Sequence, residues 1–269
     1  MTQRAQTSRQ RRVLTPPQQP ISPQPMPLPT PASNLRPIGC PQGLEYLLYV
    51  DQLLVKQKVE LLEVLTGFET NNQYDIQNNL GQNIYLASEN TDCCTRCCCG
   101  PNRAFEMRIM AANQQEVMHL TRPLRCDNCY CFCCLQYVRV ESPPGQLIGH
   151  VEQQWSCLRP AYRVIDANGE VILKILGPFC TFSIFCQDVE FQVVSKNGDI
   201  KVGRITKQWS GILKETFTDA DIFGVVFPLD MDVKAKACLL AATILIDYMF
   251  FEKKGNDEKD RPGMMDTRW

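Results

Sequence analysis

The sequence predicts a mainly β fold: a closed β-barrel of twelve strands, built from two similar halves around a hydrophobic C-terminal α-helix. Three observations predict it: hairpin patterns that recur along the chain, about six short strands in each half, and one long apolar segment near the C-terminus. Of the 269 residues, 44% are hydrophobic and 21% are charged. A chain of this composition can bury a core, which excludes a wholly disordered protein.

Residues 1–42 are predicted to be a disordered, proline-rich N-terminal arm. Ten of the 18 prolines lie in residues 1–41, and proline fixes φ and removes a backbone donor. Two PxxP patterns, starting at Pro17 and Pro20, suit proline-reading domains, so such proteins are candidate partners of residues 16–41. A flexible spacer is the simpler alternative. The first 15 residues lack the apolar run of a secretory signal, which predicts folding in the reducing cytosol.

The folded part, predicted over residues 43–252, contains an internal repeat. Residues 74–85 alternate apolar and polar side chains around an Asn/Gly turn, and residues 162–172 repeat this pattern 88 positions later. A second pair of hairpins follows, around residues 105–113 and 191–198. Asn-Gly between alternating runs predicts a tight hairpin, because both turn residues need positive φ.

Two open β halves would leave unpaired edges, and closing both into one barrel removes them. About twelve strands make a barrel wider than its own side chains can fill, since roughly eight strands is the size that side chains fill. The apolar residues 237–251 are the candidate for its centre. The helix is predicted over about 232–251, capped by Asp232 and followed by a short polar tail, 253–269.

The same apolar segment is also a candidate membrane span. As a helix its 15 residues measure about 22 Å, against roughly 30 Å of hydrocarbon in a bilayer, and Asp247 opposes insertion. A helix that is apolar all round equally suits the centre of a barrel, which we favour. In either case the apolar helix residues are Leu239, Leu240, Ile244, Leu245, Ile246 and Phe250.

Ten of the 15 cysteines lie in two clusters, at residues 93–99 and 126–134. In a reducing compartment they are thiols, metal ligands or acylation sites rather than disulfides. A CxxC pair in each cluster has the spacing of zinc ligands. The second cluster alternates thiols with Tyr130 and Phe132, which suits S-acylation and membrane anchoring. We favour acylation over zinc, and zinc over unmodified packing.

Residues 219–230 have features of a calcium-binding loop. Asp219, Asp221 and Asp230 stand at loop positions one, three and twelve, with glycine at six. Phe223 and Val225 can offer only backbone carbonyls, so the predicted affinity is weak, with a Kd of about 10⁻⁴–10⁻³ M. A turn capped by the aspartates is the alternative.

Several segments spread over residues 40–252 together resemble the phospholipid scramblase family. They read CPQGLEYL at 40–47, RPLRC at 122–126, SPPG at 142–145, KQWSG at 207–211, the acidic segment 219–230, and DYMFFE at 247–252. The resemblance implies a tubby-like fold, in which twelve strands surround a hydrophobic C-terminal helix. That fold agrees with the internal repeat, which independently predicts a twelve-stranded barrel of two similar halves.

The resemblance also implies a function: calcium-dependent, ATP-independent, bidirectional movement of phospholipids between membrane leaflets, without covalent catalysis. It implies membrane phospholipids as partners, and a plasma-membrane or other cytosol-facing location held by a lipid anchor or a single span. It implies a nuclear location for the unacylated chain. The residues so implied are Cys129, Cys131, Cys133 and Cys134 for palmitoylation, and Arg204, Lys207 and Trp209 for nuclear import. The alternative for the segment that contains Arg204, Lys207 and Trp209 is an ordinary strand of the barrel.

The alternative function is a palmitoylated membrane or nuclear adaptor that binds partners through its proline-rich arm and transports nothing. A zinc-stabilised β-module and a homo-oligomeric transporter are further candidates. With two histidines and no GxGxxG or Walker pattern, the chain is not predicted to be an enzyme. Residues 1–40 hold five arginines and no acid, whereas the rest has 23 basic and 29 acidic residues. This balance argues against a nucleic-acid-binding surface.

Overall fold

The computed structural model describes residues 39–58, 71–92, 95, 99–125, 134–179, 189–208 and 222–252. Strands β1 to β12 span Gln52–Lys58, Gln73–Gln77, Asn83–Asn90, Phe105–Ala111, Glu116–Arg122, Tyr137–Ser142, Gln146–Gln154, Ala161–Asp166, Val171–Leu176, Val189–Ser195, Lys201–Gln208 and Ile222–Val226. A 3-10 helix, Glu45–Tyr49, precedes β1, and a shorter one, Gly100–Asn102, precedes β4. The helix α1, Val233–Phe250, follows β12.

The twelve strands form one closed antiparallel barrel. Each strand pairs with the next along the chain, and β12 pairs with β1, for example through Phe223 and Val55. In β4 the side chains of Phe105, Met107 and Ile109 are buried while Glu106 and Arg108 are exposed, as the two-residue period of a strand requires. The predicted fold class, a closed twelve-stranded barrel with a C-terminal helix, is therefore confirmed.

The sequence repeat corresponds to strands that lie half the circumference apart. The first hairpin pattern is β2–β3 and its repeat is β8–β9; the second is β4–β5 and its repeat is β10–β11. In the two Asn-Gly turns φ is positive, 87°, at Gly169 and at Gly198, but not at Asn168 or Asn197, so the expectation of positive φ at both turn residues is wrong for the asparagines. Each glycine N–H donates to the carbonyl three residues earlier, of Asp166 or Ser195, and the glycine alone takes the left-handed conformation. Each pair of repeats is thus separated by six strands of the barrel.

The helix α1 fills the centre of the barrel. Asp232 caps its start by accepting hydrogen bonds from the backbone N–H groups of Lys234 and Ala235. Of its 18 residues, 15 are buried, on all sides of the helix. The predicted apolar residues Leu239, Leu240, Ile244, Leu245 and Ile246 are all buried, and Phe250 is partly buried. Judged by length and apolar content together, none of the helices in the described part of the chain is able to span a bilayer.

Because neighbouring strands are antiparallel, alternate connections lie at opposite ends of the barrel. The connections that follow β1, β3, β5, β7, β9 and β11 share one end, which we call the cysteine end because both cysteine clusters connect strands there. The short turns that follow β2, β4, β6, β8 and β10 share the other, which we call the turn end. The helix starts at the turn end and finishes at the cysteine end.

Candidate functional site

The C-terminal turn of α1 is held by a buried polar cluster at the cysteine end. The Tyr74 hydroxyl donates to Asp247 Oδ2 at 2.7 Å, and the Tyr248 hydroxyl donates to Glu89 Oε2 at 2.8 Å. Tyr74 lies on β2 and Glu89 on β3, whereas Asp247 and Tyr248 lie on the helix. Two hydroxyl–carboxylate contacts therefore join the end of the helix to the barrel wall.

Arg103 organises the rest of this cluster, which we call the Arg103 cluster. Its Nε and Nη2 atoms donate to the two carboxylate oxygens of Glu89, at 2.6 Å and 2.9 Å. Nη2 also donates to Glu252 Oε1 at 2.7 Å, and its guanidinium lies 4.7 Å from the ring centroid of Tyr248. Asn72 Nδ2 donates to the same Glu252 oxygen at 2.9 Å. One buried cation thus joins β3 to the residues after the helix.

The pKa values of the two glutamates in this cluster are shifted in opposite directions. Burial raises the pKa of Glu89, but the hydrogen bonds and charge of Arg103 outweigh it, so the pKa lies below its ordinary value. Burial raises the pKa of Glu252, and Arg103 only partly opposes it. Glu252 Oε2 is buried with no hydrogen-bond partner among the described residues. Glu89 is therefore the firmly ionised partner of Arg103, and Glu252 the weaker one.

A single lysine holds the other end of the helix. Lys236 is fully buried, and its Nζ donates to the backbone carbonyls of Leu47, Val50 and Leu229, at 2.9, 2.8 and 2.8 Å. The same Nζ lies 5.0 Å from the ring centroid of Phe227. Three carbonyls satisfy all three N–H donors of an ammonium group. The start of α1 is thereby bound to the chain segments that cover the turn end.

Between these two anchors the helix offers little polar chemistry. Residues 237–246 are buried and apolar except Thr243, whose hydroxyl donates to the backbone carbonyl of Leu239 at 2.9 Å. At the cysteine end, Arg122 is buried and bonds Gln136 Oε1 through Nε and Nη2, and burial lowers the pKa of Arg122 to about 10. The described residues contain no group of three or more His, Cys, Asp or Glu side chains able to hold a metal ion.

Of the five predicted calcium ligands, the structure describes Phe223, Val225 and Asp230. Phe223 and Val225 lie on β12 with buried side chains, and their backbones pair with β1 and β11. Asp230 is exposed at the turn end, just before the helix. Asp219 and Asp221 lie outside the described residues, so the calcium site stays a prediction; in sequence, Asp221 is next to Ile222, the first residue of β12. The five residues of β12 span roughly 16 Å, so Asp221 and Asp230 adjoin opposite ends of that strand.

A comparison with known families identifies the chain. Residues 30–253 match the family model described as Scramblase. The chain belongs to the scramblase family. It is 52% identical to phospholipid scramblase 1 of Homo sapiens over 234 residues, 87% of this chain and 72% of that protein. It is also 52% identical to phospholipid scramblase 2 of Bos taurus, over 84% of this chain and 75% of the relative. No solved structure matches the chain.

A more distant relative in the same family matches over most of its own length. Phospholipid scramblase family member 5 of Homo sapiens is 44% identical over 225 residues, which are 84% of this chain and 83% of that protein. The matched family region, residues 30–253, contains every strand of the barrel and the whole of α1. The region that matches the family model therefore includes the whole barrel and its enclosed helix.

The remaining predicted site residues of this chain fall at two places. Cys134 is half-buried just before β6, while Cys129, Cys131 and Cys133 lie outside the described residues, in the segment that connects β5 to β6 at the cysteine end. In β11, Arg204 is exposed, whereas Lys207 is buried with its Nζ 4.2 Å from the Phe251 ring centroid. Trp209 lies outside the described residues. Arg204 and Lys207 thus occupy opposite faces of the barrel wall.

Sequence reasoning missed both polar anchors of the helix. Their signal was present, because Asp247 is a charged residue inside the apolar segment 237–251 and Lys236 directly precedes that segment. A charge inside a buried helix needs a partner, and both of these residues have one. What the segment alone does not identify is the partner, since Leu47 and Tyr74 lie more than 170 residues away along the chain.

Proposed function

We propose that this protein moves phospholipids between the leaflets of a membrane. Membership of the scramblase family carries this proposal, together with 52% identity to phospholipid scramblase 1 over most of the chain. We further propose that the movement is bidirectional and needs no ATP. The chain has no Walker pattern for ATP binding, and its two histidines offer little for covalent catalysis.

We propose that α1 must shift or leave the barrel for lipid to move through this fold. With α1 in place, residues 237–246 present an almost wholly apolar surface inside the barrel. A charged headgroup entering such a space would lose its hydration without gaining partners. The Arg103 cluster and Lys236 therefore oppose transport by holding the helix at both ends. An oligomer that forms a path between barrels is the competing route.

We propose that calcium acts weakly through Asp219 and Asp221 at the cysteine end. The two acids directly precede β12, near the end of the barrel where the Arg103 cluster holds the helix. Asp230 adjoins the other end of β12 and has no part in this site. Phe223 and Val225 have backbones paired within the barrel wall. Zinc at the cysteine clusters is the weaker alternative.

The test uses purified protein reconstituted in vesicles with a fluorescent phospholipid in both leaflets, without ATP. We expect calcium to increase the fraction of lipid that an impermeant quencher reaches, and Asp219→Asn/Asp221→Asn to abolish this increase. Asp230→Asn is the matched control and is expected to keep it. A double variant that responds to calcium like the unsubstituted protein would remove these two residues from the mechanism.

We propose that Cys129, Cys131, Cys133 and Cys134 are palmitoylated and hold the protein at the plasma membrane or another cytosol-facing membrane. Two acyl chains suffice for stable anchoring. Replacing all four by serine is expected to move the protein from the membrane fraction to the soluble and nuclear fractions of cells, with loss of acyl groups by mass spectrometry. Cys157→Ser, an exposed thiol outside the cluster, is expected to change neither. Unchanged fractionation of the fourfold variant would refute the anchor.

The second candidate function is an adaptor that binds proline-reading domains through residues 16–41 and transports no lipid. The helix enclosed between two polar anchors favours it, because such a barrel is closed to headgroups. The reconstitution experiment separates the two functions. Binding of a proline-reading domain without any lipid movement, with or without calcium, would establish the adaptor.

A further inference from the structure

Residues 40–51, which we call the cap, lie at the turn end of the barrel over the start of α1. The cap contains the 3-10 helix Glu45–Tyr49, which contacts α1. Its apolar side chains Leu44, Leu47 and Val50 are buried in the same core as the helix. A single short helical turn is not stable on its own, so the rest of the protein must hold the cap in place.

The barrel wall holds the cap through hydrogen bonds from two side chains. The Tyr85 hydroxyl, on β3, donates to the backbone carbonyl of Gly43 at 3.0 Å. Asn78 Nδ2, in the turn that follows β2, donates to the Tyr46 hydroxyl at 2.9 Å. Because each bond depends on one side chain, a single substitution can remove it and leave the rest of the barrel wall intact.

The helix holds the cap through Lys236. Of the three carbonyls that accept hydrogen bonds from this ammonium group, those of Leu47 and Val50 belong to the cap. The third, of Leu229, lies in the connection that precedes α1. A buried ammonium that loses its acceptors is costly, so the cap cannot lift while Lys236 stays buried in its present position. The position of the cap is therefore linked to the position of the helix.

Between Lys236 and the Arg103 cluster, α1 is one unbroken rod. Its 18 residues measure about 27 Å and include neither glycine nor proline. Sharp kinks in helices almost always need a proline, a glycine, a bulge or an inserted group. Residues 237–248 are buried on all sides, and closely packed interiors transmit a displacement rather than absorb it. A shift at one end of α1 is therefore expected to reach the other end.

We propose that α1 couples the two ends of the barrel, so that the cap and the Arg103 cluster are held closed together and released together. The cap is then the lid of the turn end, and the helix is the element that locks it. Such coupling is reciprocal, because loosening either end must loosen the other by the same factor. The proposal deepens the proposed function, and only its consequence for lipid movement rests on that function: a shift of α1 would open both ends of the barrel.

The test follows hydrogen exchange by mass spectrometry in the full chain, without lipid or calcium. Exchange is measured in the cap and at residues 246–252, and each rate is divided by the rate in β9, which reports unfolding of the whole barrel. Tyr85→Phe removes one hydrogen bond of the cap and is expected to speed relative exchange roughly fivefold at both places. Glu190→Gln, which removes an ion pair with Lys201, is the control and is expected to change neither.

A second variant tests the coupling from the cysteine end. Glu89→Gln removes the carboxylate that binds Arg103 and Tyr248, and we expect relative exchange to become roughly fivefold faster in the cap as well as at residues 246–252. If each variant speeds exchange at its own end alone, the helix does not couple the ends and the proposal is wrong. Exchange of the cap in step with β9 in both variants would also overturn it, since the cap would then open only when the barrel unfolds. Should Glu89→Gln fail to fold, Tyr85→Phe decides by itself.

These exchange measurements separate the coupling from the proposed function, because they contain no lipid. Coupled exchange in a protein that moves no lipid in the vesicle experiment would refute the proposed function and leave the coupling standing. Lipid movement by a protein whose two ends exchange independently would refute the coupling and leave the proposed function standing.

Discussion

Replacing Glu89 by glutamine is expected to lower the free energy of unfolding by about 3–5 kcal/mol, the range for breaking a buried ion pair from one side. The Glu89 carboxylate accepts two hydrogen bonds from Arg103 and one from the Tyr248 hydroxyl. Glutamine keeps the shape but removes the charge, so it leaves the buried Arg103 with only the weaker carboxylate of Glu252. The end of α1 loses its firmest contact with β3.

Glu252→Gln is the matched control, because it makes the same chemical change on the same arginine. Its expected cost at neutral pH is much smaller, since burial raises the pKa of Glu252 and its ionised form is therefore poorly stabilised. Because the two pKa values are shifted in opposite directions, the stability contributions of Glu89 and Glu252 are expected to change in opposite directions as pH falls. Ionised Glu89, whose pKa is lowered, contributes stability above its ordinary pKa, and this is lost as pH falls through its folded-state pKa.

The pKa of Glu252 is shifted in the opposite direction, to above its ordinary value. Its raised pKa means that ionisation reduces stability, so the native protein gains stability relative to Glu252→Gln as pH falls from neutral through that raised pKa. Urea unfolding at several pH values, followed by the fluorescence of the native tryptophans, measures both effects. Equal losses for the two variants at neutral pH would show that Arg103 does not distinguish the glutamates.

Repetition along the chain explains why the barrel was predictable. Each strand pairs with its neighbour in sequence, so alternation, turns at Gly169 and Gly198, and a count of strands suffice to specify the sheet. The position of the helix was predictable because a barrel of about twelve strands is too wide for its own side chains to fill. The Arg103 cluster was not predictable, because Glu89, Arg103 and Glu252 come from three separate segments. Each looks like an ordinary surface charge until the barrel closes around the helix.

The predicted calcium segment shows how a motif and a strand can share residues. The acidic spacing of residues 219–230 fits a loop, yet residues 222–226 form β12. Strand propensity and pairing on both sides of Phe223 and Val225 outweigh the loop pattern. The described residues of this segment, 222–230, therefore run from the cysteine end to the turn end. This leaves the two acids that precede β12 as the part of the segment able to act near the end of the helix.

Lys236→Met is expected to lower the free energy of unfolding by about 2–4 kcal/mol and to increase lipid movement in the absence of calcium. Methionine fills a similar unbranched space but leaves the carbonyls of Leu47, Val50 and Leu229 without their charged donor, and unsatisfied buried acceptors are costly. The start of α1 is then no longer bound to the 3-10 helix and the turn before it. If transport requires the helix to shift, loosening this end must make the shift less costly.

The neighbouring Lys234 supplies the control. It lies in the first turn of the same helix but is only partly buried, so Lys234→Met is expected to change the free energy of unfolding by less than about 0.5 kcal/mol and to leave lipid movement unchanged. Urea unfolding and the vesicle experiment without calcium measure the two variants side by side. A destabilised Lys236→Met protein that moves lipid no faster than the Lys234→Met protein would mean that the helix stays seated during transport. Lipid would then have to cross outside the barrel or between barrels, because the anchored helix leaves no polar path inside.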